Sequence, residues 1–334
     1  LSLLSSMGKF VIQVNALVLG AAITACERGA RWAQAIGLLA DLRNSSAVLG
    51  PACFGAAVSA CARVARWEEA LRLLEDAWEQ EGDALSIATA SAAMTACSRG
   101  HRWEAALTVL AAFSSCELLP DTAACNAAVS ASEKGRQWEI AFGIHAMMRS
   151  QRILVSLVTH NSLISACEKG EQWNRALLML HEARLNFIQL DLVSYSGAIS
   201  AQEKAARWEA TLQLLLCMET QLSHPDAICY QVALSASARA ACWAHAVSLL
   251  QDMSFRALLP GIIGLDAAAR ATEASQMHKR SGELLLQVRA HATSWAKGGA
   301  IALRQEVVDS GQLCGAGWLH ARRSLSKTSD LALA

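Results

Sequence analysis

The sequence predicts an all-α solenoid of stacked helix–turn–helix repeats, and three observations predict it. Tryptophan recurs at Trp32, Trp67, Trp103, Trp138, Trp173, Trp208 and Trp243, at spacings of 35 or 36 residues. A period of this length, held over many copies, marks a chain built from one stacked supersecondary element. Alanine stands seven residues before each of these tryptophans, at Ala25, Ala60, Ala96, Ala131, Ala166, Ala201 and Ala236. A small side chain at one phase in every copy suggests close helix–helix approach. The third observation is a change of pattern at each tryptophan, where one amphipathic stretch ends and another begins.

The first helix of each repeat is legible in NAAVSASEKGRQW (126–138), NSLISACEKGEQW (161–173) and SGAISAQEKAARW (196–208). Small and apolar residues fall at helical spacing, a charged pair follows, and a Gly or Ala marks a tight turn. The second helix opens on the tryptophan, as in WNRALLMLHEAR (173–184). There Trp173, Ala176, Leu177 and Leu180 share one face, and the indole is expected to fill the space beside the small alanine as a core residue. Pro120, Pro225 and Pro260 close three of the second helices. The repeats span 16–50, 51–86, 87–121, 122–156, 157–191, 192–226 and 227–261.

Bulk properties narrow the function. The 334 residues are 53% hydrophobic, with 29 Lys+Arg against 29 Asp+Glu. Residues 1–261 carry 20 basic and 23 acidic side chains, a net −3, while the remainder carries 9 and 6. Any nucleic-acid binding must therefore depend on local arrangement rather than net charge. The 11 cysteines include no C-x-x-C pair, which argues against a zinc or dithiol site. Cys26, Cys61, Cys97 and Cys167 share a phase six before the tryptophan, as buried apolar residues in a reducing compartment would. The most apolar stretch, 10–26, contains Gln13 and Asn15 and fits the repeat phase, so no membrane span is expected. The nine His residues have no ligand spacing, and no nucleophile–base or paired-carboxylate constellation stands out. The chain reads as non-catalytic, with no cofactor and no small-molecule substrate.

The ends differ from the array. Leu3, Leu4 and Met7 read as the close of a second helix from an earlier repeat, so residues 1–15 are expected to be the remnant of one and any targeting peptide to lie outside the sequence. Over 262–290 the period decays, with His278 where a tryptophan is due; this reads as a worn terminal repeat. Residues 291–334 read as a low-order tail.

Two further series keep phase. Four residues before every tryptophan the side chain is basic: Arg28, Arg63, Arg99, Lys134, Lys169, Lys204 and Arg239. Stacking would align them into a stripe suited to a phosphate backbone; their plainer role is to complement the C-terminal dipole of a helix. Each repeat boundary carries a residue favoured at helix N-caps: Asn15, Gly50, Ser86, Asp121, Ser156, Asp191, Asp226 and Gly261. Asn126 and Asn161 have less structural reason to stand inside a first helix, where Asn is a poor former.

On the 35-residue phase, the Asn-x-x-[Ile/Val]-Ser-Ala-x-Glu-Lys-Gly segments and the Pro-Asp steps at 120–121 and 225–226, the chain resembles the pentatricopeptide repeat family. The resemblance covers about 250 residues. Tetratricopeptide repeats are the nearest competitor, but they place their Trp early in the first helix. The family usually carries Leu where these repeats carry Trp. The resemblance implies a right-handed α-solenoid superhelix that binds single-stranded RNA in an organelle, plastid or mitochondrion, in RNA processing, stability or translation. It also implies one base per repeat, read by the fifth and the last residue through hydrogen bonds to a splayed base.

Carried across, the reading pairs are Gly20 with Gly50, Gly55 with Ser86, Ser91 with Asp121, Asn126 with Ser156, Asn161 with Asp191, Ser196 with Asp226, and Gln231 with Gly261. By the family's code the third to sixth repeats would read 5′-GCUG-3′. The Gly-bearing pairs lack a side-chain donor or acceptor. The second residue of each repeat would clamp the base: Leu17, Ala52, Ala88, Ala123, Val158, Val193 and Ile228, with Val158, Val193 and Ile228 large enough to pinch. The rival reading is a helical scaffold that holds a protein or peptide in its concave groove, favoured by the neutral charge and the three alanines at clamp positions. A decayed copy with no ligand is a third.

Overall fold

A computed structural model describes residues 16–44, 51–81, 86–115, 118–220 and 225–256, with scattered positions between 258 and 271. Residues 1–15 and 291–334 lie outside the described residues, as do Gly50, Gly261, the Leu17 side chain and most of 262–290. The described chain is a run of helical hairpins: α1 (Ala16–Arg28) and α2 (Trp32–Asn44), α3 (Pro51–Arg63) and α4 (Trp67–Glu81), α5 (Ile87–Arg99) and α6 (Trp103–Ser115), α7 (Thr122–Lys134) and α8 (Trp138–Ser150), α9 (Leu157–Lys169) and α10 (Trp173–Leu185), α11 (Leu192–Lys204) and α12 (Trp208–Thr220), and α13 (Ala227–Arg239) and α14 (Trp243–Phe255). Every first helix ends on the basic residue and every second helix opens on the tryptophan.

The first helices start where a side chain satisfies the orphan amides of the first turn. Asp121 accepts from the Ala124 N–H at 2.7 Å, Asp191 from Ser194 at 2.9 Å and Asp226 from Cys229 at 2.9 Å. The Asp191 backbone N–H donates to Ser194 Oγ at 3.4 Å and completes a capping box. Ser86 has the extended N-cap conformation but makes no side-chain bond to its helix.

The turn between the two helices of a hairpin is the same in all seven repeats. The residue before each tryptophan sends its N–H back to the carbonyl five residues earlier, as in Arg31 to Cys26 (2.9 Å), Gln137 to Ser132 (2.9 Å) and Cys242 to Ser237 (2.9 Å). That is a Schellman closure, which needs a left-handed residue in between. The left-handed residues are Ala30, Ala65, His101, Arg136, Glu171, Ala206 and Ala241, with φ between 53° and 59°. None is glycine. The glycines stand one residue earlier for a different reason. A Cβ on Gly100 would lie 2.5 Å from Trp67 Cδ1, and one on Gly135 would lie 2.4 Å from Trp103 Cδ1. The left-handed positions therefore carry strain that a glycine would relieve. Arg136→Gly is expected to stabilise the chain by about 0.5–1 kcal/mol, the relief at φ 57° less the entropy of an added glycine. A raised urea midpoint at unchanged slope checks it.

The chain divides into two compact halves, one up to Ala166 and one from Cys167. In the N-terminal half, α1 packs on α3, α3 on α5 and α5 on α7, while α2, α4 and α6 each pack on the first helix that follows. In the C-terminal half, α11 packs on α13, and α10 and α12 on the first helices that follow them. Ala60, Ala96, Ala131, Ala166, Ala201 and Ala236 are fully buried. A second series, three residues after the tryptophan, is equally closed at Ala35, Ala70, Ala106, Ala141, Ala176 and Ala246.

The tryptophans differ from the expectation that they form the core. All seven are half-buried; Trp67 and Trp103 pack beside Gly100 and Gly135 in the inter-helix turn of the next repeat. In the N-terminal half the Arg66 guanidinium stacks over Trp32 at 4.6 Å and Arg102 over Trp67 at 4.7 Å; in the C-terminal half Arg207 stacks over Trp173 at 4.1 Å. The indoles join successive hairpins at their turns. The phased cysteines Cys61, Cys97 and Cys167 are fully buried, and burial pushes their thiols up to about 11, 11 and 12.

Candidate nucleic-acid interface

The start of each first helix carries the second, fifth and boundary positions that the family resemblance singles out. The second residue faces solvent in every repeat where its side chain is described. Ala52, Ala88 and Ala123 are exposed, and Val158, Val193 and Ile228 are each 60% exposed. One exposed aliphatic residue is ordinary. Three β-branched side chains at one phase and one exposure form a repeated feature.

The fifth residue lies on the same helix, and the last residue of the repeat caps the next first helix. In two repeats the structure joins them. Ser91 donates its hydroxyl to Asp121 Oδ1 at 2.9 Å and also reaches the Ile87 carbonyl at 2.8 Å. Asn126 donates from Nδ2 to Ser156 Oγ at 3.3 Å. Asn126 is half-buried, and its Oδ1 accepts from Thr159 Oγ1 at 2.6 Å. Asn161, Asp191, Ser196, Asp226 and Gln231 are also half-buried. Ser196 turns its hydroxyl to the Val193 carbonyl at 3.1 Å. The boundary residues Asp121, Asp191 and Asp226 thus cap helices, and Asp121 also meets the fifth-position Ser91. Gly20 and Gly55 contribute no polar atom.

The basic residues four before the tryptophan form a series with a structural partner. Each of those below reaches back to the end of the preceding first helix. Arg99 Nη1 donates to the Ala62 carbonyl at 3.2 Å and Lys134 Nζ to the Ser98 carbonyl at 2.9 Å. In the C-terminal half Lys204 Nζ reaches the Glu168 carbonyl at 3.1 Å, and Arg239 Nη1 the Glu203 carbonyl at 3.5 Å. These cations complement a helix C-terminus, as the dipole argument expects, but the helix belongs to the neighbouring repeat. Lys204 and Arg239 also pair with the carboxylates of Glu168 at 3.2 Å and Glu203 at 3.1 Å. Arg28 and Arg63 are exposed and Lys169 half-buried.

A hydroxyl series that the sequence reading missed completes this ladder. Ser165 donates to Glu133 Oε1 at 2.8 Å, Ser200 to Glu168 Oε1 at 2.8 Å and Ser235 to Glu203 Oε1 at 2.7 Å. Where Ser98 replaces the acid, it meets Ser130 at 3.1 Å. The signal was present: a hydroxyl stands eight before every tryptophan, at Thr24, Ser59, Thr95, Ser130, Ser165, Ser200 and Ser235. Among the described residues, no cluster of His, Cys, Asp and Glu could hold a metal ion and no helix is long and apolar enough to cross a membrane. The geometry offers hydrogen-bonding edges flanked by aliphatic contacts, which is a means of recognition.

Comparison with known proteins agrees with this architecture. The PPR repeat family model matches residues 158–186. No curated protein matches the chain. The crystal structure of the pentatricopeptide repeat protein PPR10 from maize is similar with a TM-score of 0.65 at 21% identity, over 86% of this chain and 41% of that one. This chain therefore spans less than half of PPR10. PPR10 in complex with an 18-nt psaJ RNA element aligns over 87% of this chain and 47% of that one, at TM-score 0.49 and 14% identity. The PPR domain of Arabidopsis thaliana protein-only RNase P 1 in complex with tRNA aligns over 50% and 88%, at 0.45 and 13%.

Proposed function

We propose that this chain, which carries a pentatricopeptide repeat at 158–186 and is an all-α solenoid of such helical hairpins, binds single-stranded RNA. The observation that carries the reading is the repeated juxtaposition at the first-helix N-termini. An exposed second residue, a polar fifth residue and a polar boundary residue recur together, with Ser91–Asp121 and Asn126–Ser156 hydrogen-bonded as pairs. Each such group can accept one base, with Val158, Val193 and Ile228 gripping it and the pair reading its Watson–Crick edge. The reading pairs are then Ser91/Asp121, Asn126/Ser156, Asn161/Asp191 and Ser196/Asp226, for 5′-GCUG-3′. The setting is RNA processing, stability or translation in a plastid or mitochondrion, alongside protein partners.

Phosphate contacts fall to Arg28, Arg63, Arg99, Lys134, Lys169, Lys204 and Arg239. Seven contacts on a single strand would give a log–log salt slope of about −5. Lys204 and Arg239 already pair with Glu168 and Glu203, so the expected slope is shallower than that. Fluorescence anisotropy with a GCUG-bearing RNA across a salt series measures it. A slope near zero removes the cations from the interface.

A second reading has one observation in its favour. In the C-terminal half Leu178, Leu185 and Phe187 are 61%, 65% and 94% exposed on and just beyond α10, an apolar surface suited to a protein partner. Chain that ignores RNA of every sequence but is retained by a protein of its own extract would favour it.

A further inference from the structure

Thr159 belongs to neither set of expected readers, yet it touches both members of one pair. It is the third residue of α9 and is fully buried. Its Oγ1 lies 2.6 Å from Asn126 Oδ1 and 3.1 Å from Ser156 Oγ, and Asn126 Nδ2 lies 3.3 Å from Ser156 Oγ. The Ser156 backbone N–H also donates to Thr159 Oγ1 at 3.1 Å. The three side chains therefore close a ring. Asn126 Nδ2 donates to Ser156 Oγ, Ser156 to Thr159 Oγ1, and Thr159 to Asn126 Oδ1. The 2.6 Å contact sets its direction, since that length suits O–H···O and is too short for N–H···O.

The neighbourhood recurs. A Cβ on Gly55 would stand 3.3 Å from Thr89 Oγ1, and one on Gly20 would stand 3.5 Å from Cys53 Sγ. Thr89 and Cys53 are likewise third residues of the following first helix. In these three repeats that residue stands beside the fifth residue of the preceding one, whether it is cysteine or threonine. Where it is Ala124, next to Ser91, no hydroxyl is available.

We infer that Thr159 is a positioning residue for base selection by the fourth repeat. The inference rests on the RNA reading proposed above. An asparagine amide can turn over and offer either its N–H or its oxygen to a pyrimidine edge. Cytosine presents an acceptor at N3 and uracil a donor, so a freely turning amide serves both. Bonded as it is, Asn126 has its oxygen committed toward Thr159 and one N–H toward Ser156, and the remaining N–H is the donor left for cytosine. The threonine hydroxyl holds that choice.

The test uses the whole chain and four short RNAs that differ only at the base facing the fourth repeat. The unsubstituted chain is expected to favour C over U by about tenfold, the worth of one net hydrogen bond. Thr159→Val keeps the shape and removes the hydroxyl. It should bring the C-to-U ratio near one and leave preferences at neighbouring positions intact, while Thr159→Ser restores the ratio. Thr159→Ala carries the same expectation should the valine variant not fold. Asn126→Ala separates the two levels of argument. If it leaves the four affinities in their original order, the RNA reading fails and the inference with it. If it changes the order while Thr159→Val behaves as the unsubstituted chain, only the positioning role is overturned.

Discussion

Replacing Ala131 by leucine is expected to cost about 3 kcal/mol, at the upper end of what overpacking a closed core does. Ala131 is fully buried on α7 in a cluster with Cys97 and Ala106, which are also fully buried, and Trp67, Leu71, Trp103 and Ala105 close around it. Three added heavy atoms have no cavity to enter. Relief requires the surrounding side chains to shift or α7 to separate from α5, and stacked hairpins are held by just such neighbour contacts. Ala123→Leu is the matched control. It adds the same atoms at an exposed second position of the same helix and should stay within about 0.5 kcal/mol of the parent. Urea unfolding of the two variants measures the difference. Equal midpoints would mean that the phased alanines do not set the helix spacing.

Much of the fold was legible because it depends on spacing along one repeat. The tryptophan phase marks the start of every second helix, and the buried alanines seven before it follow from the same count. What was not legible depends on partners one repeat away. Trp67 looks like a core anchor within its own helix, but its ring packs beside Gly100 and under Arg102, more than thirty residues on. The cations keep phase in the sequence, yet nothing there shows that Lys134 meets the Ser98 carbonyl 36 residues back. The serines eight before the tryptophan pass for neutral helix residues until Glu133, Glu168 and Glu203 are found opposite them. The turn pattern centres on the Gly or Ala, whereas the left-handed residue is the next one; Gly100 and Gly135 instead make room for an indole. At the interface the phases of the second, fifth and boundary residues could be written down in advance. The hydrogen bonds that tie Ser91 to Asp121 and Asn126 to Ser156 and Thr159 could not.

The second large effect concerns specificity. Asn126→Ser with Ser156→Asp gives the fourth repeat the pair found in the third, where Ser91 donates to Asp121. The fold should tolerate it. Aspartate already caps α7, α11 and α13, and Ser194 shows a third-position hydroxyl donating to such a carboxylate at 2.8 Å. The changed donor and acceptor set should favour G over C at one base by on the order of tenfold, within the range of a well-formed base contact. Affinity for the other bases should be unaffected.

Selection from a randomised RNA pool, run in parallel on the parent chain and on this double variant, is the most direct measurement. One base per repeat requires the enriched motif to change from C to G at the position of the fourth repeat and nowhere else. An identical motif from both proteins, or no enriched motif from either, would contradict it.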